Sequence, residues 1–564
     1  MKNRAFNLMK NWCDTLLSYQ IKTNVPDTDG ALLCPACHVL HGRVADLCFP
    51  LSVIWSKTGD ERYLEKADKL IEWSEHNLKT PDGLWFNDAC NHWRWTSTFS
   101  SIALGETLLH FSSVLPRRYL DKWEKIYSRM VETLYGLDEE YERNKNNPRV
   151  THPITNYFCA MGATLALAWK NTGEQKFLQK AIKWIDLVFK ERVDDDGLLF
   201  GEGTITPYDD GSHTIDMGYA LEESLPLLMR FASISGIYKE EIHKAFSKHL
   251  LFVLPDGGID NSFGVRHNKW TYWGSRTSDG IMEGLAFAMD DPLFVDVARR
   301  TLDLYEKCTH DGLLSMPMAH EANEPTCLHH SFPHAKSLAS FICDAPNDIK
   351  IQEPLENEKF GVKKFQNDRL ILISKGIFRA TFSAVNANTI RLAENGGGSM
   401  NLLYVDGYGI TCAATSAYFR PSEPFNQQLS RHDYECECMT AQFIVDGEQA
   451  CMDKSVKISS EGTTVTAVAK KWSAKYAFTD TALNITLQSA DAVYSLPIVC
   501  SKDNSVKVTD GGKTLVIADT LRIRSSVAME VDENEREFNQ VGGLLYLPIN
   551  IAVKDRVSVT VDKI

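Results

Sequence analysis

The first 345 residues alternate between two kinds of apolar pattern. Segments at about 41–57, 97–113, 153–171, 215–235, 277–289 and 331–343 are apolar, with few charges and many small residues, which predicts helices buried on both sides. Segments near 5–19, 117–136 and 239–253 place apolar residues at helical spacing opposite a polar face, which predicts amphipathic helices. Buried and amphipathic helices therefore alternate along this part of the chain.

An internal repeat accompanies this alternation. Residues 58–88 and residues 172–202 align without a gap and share Thr-Gly, Lys-Ala and Asp-Gly-Leu, and a looser third copy at 291–314 ends on the same Asp-Gly-Leu-Leu. The spacing of the first two copies gives about 57 residues per helical pair, so this part of the chain holds six pairs. The sequence therefore predicts an (α/α)6 toroid, and an open solenoid with a repeat of about 34 residues fits less well.

The pattern changes after about residue 350. Runs such as RLILIS, FRATFSAV, TTVTAVAK and RVSVTV are rich in β-branched residues, often alternate, and are separated by Gly, Asn and Asp. Short alternating runs of this kind are typical of antiparallel β-sandwiches. We therefore predict an α+β multidomain protein, with a toroid catalytic domain over residues 1–345 and a C-terminal antiparallel β-sandwich over residues 350–564.

Charge and composition narrow the function classes. The 564 residues have a net charge of -14, and no run of Lys and Arg exceeds three residues, which argues against a nucleic-acid partner. No apolar stretch reaches the roughly 18 residues of a membrane span. Fourteen cysteines within largely apolar runs indicate buried thiols. The start, MKNRAFNLMKNW, shows no signal peptide, so we expect a cytoplasmic protein, or a periplasmic one if a leader was removed; homo-oligomerisation stays open.

Polar and aromatic residues gather where chemistry is expected in a toroid. The loops that lead into the inner helices meet at one mouth, so residues far apart in sequence share a pocket there, although loops are polar in any case. Aromatic rings can stack on sugar faces, amides can bind hydroxyls, and Arg can bind an anionic group. The substrate-binding candidates are His41, Arg43, His92, Trp93, Arg94, His152, Asn156, Tyr157, His213, Tyr219, Tyr272, Arg276 and His330.

Several of these segments carry a resemblance to a known group. The strings CPACHVLHGRVADLCFPL, TGDERYLEKA, WTSTFSSIALGETL and EGTITPYDDGSHTIDMGYALEESLPLL resemble (α/α)-toroid enzymes that act on uronic-acid glycans. The chain resembles most closely the glycoside hydrolases of family 154, which are exo-β-glucuronidases, and more distantly the heparinase II/III-like polysaccharide lyases. The resemblance implies a glycan partner carrying uronic acid and an activity that removes terminal β-linked glucuronic acid.

Hydrolysis of a glycosidic bond requires a carboxylic acid that protonates the leaving oxygen. It also requires a second carboxylate that either activates a water molecule or attacks the sugar. Asp88 and Glu202 occupy equivalent positions of the repeat, at the ends of DGLWFND and DGLLFGE. Asp216 and Asp279 begin the fourth and fifth inner helices, where plain N-capping is an equal alternative. The predicted catalytic residues are therefore Glu202, Asp216, Asp279 and Asp88, with Glu202 favoured as the acid.

Two other functions stay open at this point. A lyase would need a group that neutralises the uronate carboxylate, a base for the C5 proton and an acid for the leaving oxygen. His152, Asn156, Tyr157, His213, Tyr219 and Tyr272 could supply that set. A glycan-binding protein without catalysis would keep the aromatic residues and lose the paired acids.

We expect neither a metal nor a cofactor. Cys34 and Cys37 form a CxxC pair with His38 and His41 nearby, and Cys90-x-His92 could complete a site, but the second pair at ribbon spacing is missing. Because the resembled family carries this string, it is interpreted as shaping the first loop. Walker, GxGxxG and GxSxG motifs are absent from the sequence, which leaves nucleotide and α/β-hydrolase functions without support.

Overall fold

The structure is a computed structural model of the chain. It describes residues 1–89, 91–145, 153–202, 205–208, 211–265, 267, 271–272, 278–315, 325–350, 359–385, 396–416, 438–532, 536–538 and 544–564. His152 and Arg276, two of the candidate site residues, lie outside these ranges, as does Cys90.

Among the described residues of the N-terminal half, six buried helices form an inner ring. Each contacts the next in chain order, and the last contacts the first, so the ring is closed and is not a solenoid. The fourth helix is preceded by a one-turn helix, Met217–Tyr219, and a π-helical stretch, Ala220–Ser224. The inner helices are Cys48–Thr58, Ser97–Phe111, Thr155–Thr172, Leu225–Ser235, Met282–Leu285 and Leu328–Asp344.

In the part of the chain that the structure describes, six amphipathic helices surround this ring. The Thr-Gly of the repeat ends an inner helix before each of two outer ones: Gly59 and Gly173 adopt φ of 71° and 77°, and their N–H groups bond to Trp55 and Trp169 carbonyls. This left-handed conformation favours glycine, which explains its place in the repeat. The outer helices are Lys2–Ser18, Arg62–Asn77, Arg117–Tyr135, Gln175–Glu191, Lys239–His249 and Pro292–Lys307, and a short helix, Leu137–Asn144, follows the third.

The C-terminal half contains two large antiparallel sheets. The smaller has five strands in chain order: Gly361–Phe365, Leu370–Lys375, Phe378–Ser383, Ser399–Val405 and Gly409–Ala413. The larger has twelve: Gln442–Val445, Glu448–Gln449, Lys457–Glu461, Thr464–Val468, Trp472–Phe478, Ala482–Ser501, Val506–Thr509, Thr514–Ile517, Leu521–Ser525, Met529–Val531, Arg536–Glu537 and Leu544–Lys563. Short two-stranded ladders join Thr309–His310 to Leu313–Leu314 and Thr415–Ser416 to Cys438–Met439.

The five-stranded sheet lies between the toroid and the large sheet. In its second strand Leu370 and Leu372 pack into the core of the toroid, while Ile371 and Ile373 pack against the large sheet. A strand buried on both faces is apolar without interruption, which is the pattern of RLILIS. Polar contacts add to this interface, and the backbone N–H of His213 donates to Gln366 Oε1 at 2.8 Å.

The predicted fold class is confirmed. The last helix ends at Asp344 and the first strand of the sheets begins at Gly361, so the change of structure falls in the interval where the hydrophobic pattern changes. Among the described residues, none of the helices is both long enough and apolar enough to cross a bilayer.

Candidate active site

The inner helices all begin at one end of the toroid, and a buried group of charged residues lies there. Arg43, which has a left-handed φ of 58°, contacts Asp46 at 2.9 Å and Asp279 at 2.6 Å through Nη2. Lys336, from the last inner helix, contacts the other oxygen of Asp279 at 2.5 Å. Burial opposes ionisation of Asp279, but the charges of Lys336 and Arg43 outweigh it and hold its pKa below the usual value. Asp279 is thus an ionised partner of two cations.

A second group surrounds the start of the third inner helix. The backbone N–H of Asn156 donates to Glu202 Oε1 at 2.9 Å, and its side-chain amide donates to Glu223 Oε2. Burial, reinforced by the charge of Asp279, raises the pKa of Glu223 to about 8, although Asn156 and Arg43 act in the opposite direction. Glu223 is therefore mostly protonated at neutral pH, which makes this pair a neutral hydrogen-bonding unit.

His213 and Tyr219 lie on the segment that enters the fourth inner helix. The His213 ring stacks on Phe200 with centroids 3.9 Å apart, and burial lowers its pKa below the usual value of 6.5. Its Nδ1 is buried without a hydrogen-bond partner among the described residues. Tyr219 is half-buried, and its backbone N–H donates to Asp216 Oδ1 at 3.1 Å, so the structure shows the capping role for Asp216. His213 is thus a neutral imidazole at neutral pH.

Aromatic rings connect these groups. Tyr157 meets the edge of Trp93 at 5.6 Å, and burial raises its pKa, with further increases from the nearby charges of Glu223 and Tyr219. Both Glu223 and Tyr219 are close enough to Tyr157 to raise the pKa of its phenol, so these three side chains lie near one another.

The remaining candidates have other partners. Asp88 is buried and accepts from the Asn87 amide at 2.8 Å and the Asn91 backbone N–H at 2.8 Å. Arg94 forms ion pairs with Asp82 and Glu140.

His92 is exposed and stacks on Phe86 at 4.5 Å. Tyr272 is buried and donates its hydroxyl to Asp256 Oδ2 at 2.6 Å. His330 is buried against the His334 ring at 5.0 Å.

The interpretation of the sequence did not name two residues of these groups, Glu223 and Lys336, or a third buried residue, Cys327. Glu223 and Lys336 are charged residues inside otherwise apolar helical runs, and that mismatch is a signal that could have identified both. Cys327, described below, has no local signal, because its partners are distant in the chain.

The comparisons with known proteins agree on a family. The profile of the ulvan lyase N-terminal domain matches residues 9–358, and that of the ulvan lyase C-terminal domain matches residues 362–452 and 440–563. A broad-specificity ulvan lyase from Formosa agariphila is 33% identical over 447 residues, which is 76% of this chain and 68% of that protein. The chain belongs to the ulvan lyase family.

Solved structures share its fold. A chondroitin AC lyase from Streptomyces coelicolor A3 has a TM-score of 0.53 at 10% identity, covering 100% of this chain and 79% of that chain. Heparinase III has a TM-score of 0.52 at 10% identity, covering 94% of this chain and 78% of that chain. These likenesses confirm the toroid and sheet architecture.

The predicted hydrolase activity is wrong, because the family that matches the chain is a lyase family. The particular resemblance to glycoside hydrolase family 154 has no support from these matches, and hydrolase, glycosidase and β-glucuronidase are the wrong descriptions. The error has a physical origin: Thr-Gly and Asp-Gly mark helix ends and turns of the toroid, and such positions carry no information about which bond is cleaved.

Proposed function

We propose that this protein is a polysaccharide lyase that cleaves uronate-containing glycans of the ulvan type by β-elimination. The observation that carries the proposal is the buried Asn156–Glu223 pair. The neutral imidazole of His213 stacks on Phe200, and the Phe200 carbonyl accepts from Thr155 at the start of the helix that carries Asn156. The substrate class is supported by the ulvan lyase from Formosa agariphila to which the chain is similar. The proposed lyase mechanism uses groups that are neutral at neutral pH, whereas Asp279 is held ionised by its cations.

The first step of β-elimination is neutralisation of the uronate carboxylate, which makes the C5 proton acidic enough to remove. The amide of Asn156 has two N–H groups and gives one to Glu223, so the second is available to the substrate. Glu223 retains a proton on its carboxyl group because of its raised pKa. An N–H and an O–H together can bind a carboxylate without adding charge.

The second step is removal of the C5 proton and protonation of the leaving oxygen. His213 is the base in this proposal, because a neutral imidazole with an unpartnered buried nitrogen can accept a proton. Tyr219 is the acid in this proposal, since it is half-buried and, like Glu223, lies close enough to Tyr157 to raise the pKa of that phenol. The products are a saturated reducing end and a new non-reducing end with a C4–C5 double bond.

The nature of the products tests the proposal. We expect digestion of ulvan to produce an ultraviolet absorbance, because the new double bond is conjugated with the carboxylate. Neutral glucans without uronate are the control and should give neither absorbance nor new reducing ends. New reducing ends without absorbance would mean hydrolysis, and binding without either product would mean a non-catalytic glycan-binding protein.

The pH dependence provides a second test. Because kcat/KM reports groups of the free enzyme, we expect it to fall above a pH of about 8, where Glu223 loses its proton. The fall on the acid side should lie below 6.5, since burial lowers the pKa of His213 and a protonated imidazole accepts no further proton. The variant Glu223→Gln keeps a neutral donor. Its kcat/KM should no longer fall near pH 8, whereas the fall on the acid side should remain. An unchanged alkaline limb in that variant would contradict the role of Glu223.

A further inference from the structure

Three thiols and one imidazole meet where the toroid ring closes. Cys34 and Cys37 belong to a tight loop between the paired residues Leu33 and Leu40, and His41 follows it. Cys327 is the residue that precedes the last inner helix, Leu328–Asp344. Cys34 and Cys327 are separated by 293 residues in the chain and yet are in contact.

Two backbone hydrogen bonds close the loop that carries Cys34 and Cys37. The backbone N–H of His38 donates to the Cys34 carbonyl at 3.0 Å, and the N–H of Cys34 donates to the Val39 carbonyl at 3.1 Å. Cys34, His41 and Cys327 are buried, while Cys37 is partly exposed. All four side chains are thus fixed by backbone structure and packing.

The distances fit one tetrahedral ion. Bonds of about 2.3 Å to sulfur and about 2.05 Å to nitrogen place two sulfur ligands about 3.8 Å apart, and sulfur and nitrogen about 3.6 Å apart. The Sγ atoms of Cys34 and Cys327 are 3.8 Å apart. His41 Nε2 lies 3.6 Å from Cys327 Sγ and 3.3 Å from Cys37 Sγ. All four ligand atoms lie within 4.8 Å of one another.

We propose that Cys34, Cys37, His41 and Cys327 bind one structural Zn²⁺ ion. Three Cys and one His is a donor set that zinc takes in closed tetrahedral sites, and no position is left for water or substrate. The thiols bind as thiolates, so their protons leave to solvent when the metal binds, and His41 binds as neutral imidazole through Nε2.

The ion would join the two ends of the ring. It ties the loop before the first inner helix to the start of the last one, and such a link across a long loop restricts the unfolded chain strongly. Arg43 is two residues beyond His41, and Gly42 between them lies against the backbone of Asn87 so closely that a Cβ there would clash. The site would therefore also fix the backbone that carries Arg43 to Asp279.

Metal content of the full chain tests the proposal. We expect protein purified from zinc-supplemented medium to contain one Zn²⁺ per chain by inductively coupled plasma mass spectrometry. Protein prepared with Co²⁺ instead should show the visible absorption of tetrahedral, thiolate-bound cobalt. Cys327→Ser and His41→Ala should lose most of the bound metal, whereas His41→Cys, which restores a four-ligand set, should retain it.

The control is Cys308→Ser, because Cys308 is another buried cysteine and lies outside the cluster. It should bind as much metal as the wild-type protein. If the ligand variants fail to fold, the metal content and cobalt spectrum of the wild-type chain decide alone. Wild-type protein without metal and without the cobalt spectrum would overturn the proposal, and so would a disulfide between Cys34 and Cys327 found by mass spectrometry in protein purified without air.

Discussion

The variant Tyr219→Phe is expected to lose kcat on a uronate polysaccharide by a factor of about 10²–10⁴, with little change in KM, which is the range for removal of a general acid. The substitution deletes one oxygen and keeps the ring. The backbone N–H of Tyr219 still donates to Asp216, so the start of the helix should be unchanged. The loss should therefore appear in the chemical step, measured as the rate of ultraviolet absorbance at saturating substrate.

Tyr238→Phe is the matched control. Tyr238 precedes an outer helix, and its hydroxyl donates to Asp186 at 2.7 Å on the exposed side of the ring. It should keep wild-type kcat. Thermal melting of both variants checks that each is folded. If Tyr219→Phe also kept wild-type kcat, another group would be the acid, and Tyr157, the neighbouring phenol, would be tested next.

The architecture could be predicted because it depends on local patterns repeated many times. The apolar run at 215–235 matches the helical path from Met217 to Ser235, although the π-helical stretch Ala220–Ser224 interrupts it. Over residues 278–289, the described part of the run at 277–289, the helical residues are Met282–Leu285 and a following 3-10 turn. Apolar composition reports burial, and it does not report how regular the buried backbone is.

The candidate site could be predicted only in part. The mouth of the toroid was found because the inner helices begin there, and Asn156, His213 and Tyr219 were among the lyase candidates. The protonation state of each acid could not be predicted from the sequence, because it depends on residues that are distant in the chain. Asp279 receives one cation, Arg43, from the segment before the first inner helix and the other, Lys336, from the last inner helix, and Glu223 is kept neutral by burial beside Asp279.

The prediction of hydrolysis was wrong for the same reason. Several carboxylates at the mouth of a toroid fit a hydrolase when only the residue types are considered. The structure shows one capping a helix, one paired with two cations and one accepting a backbone N–H. Those contacts join residues that are far apart in sequence, so residue types alone could not distinguish a hydrolase from a lyase. The family matches made that distinction.

Asn156→Asp is expected to lower kcat/KM by at least about 10²-fold, since one hydrogen bond to a charged group contributes about 1.5–3 kcal/mol and the variant also adds repulsion. The new carboxyl would face Glu223 at hydrogen-bond distance, and two such carboxyls share one proton at neutral pH. A negative charge would then lie where the substrate carboxylate has to bind. The loss should shrink as the pH falls and the pair becomes neutral, until protonation of His213 limits the rate.

Asn171→Asp is the control for this change. Asn171 lies near the other end of the same helix, Thr155–Thr172, and its amide donates to the Gly105 carbonyl at 3.0 Å, away from the mouth. The variant Asn171→Asp makes the same chemical substitution on the same helix. It should leave kcat/KM unchanged, even where it lowers the melting temperature. An equal loss in both variants would mean that the Asn156 change acts through stability. An unaffected Asn156→Asp enzyme would mean that the uronate carboxylate is bound elsewhere at the mouth.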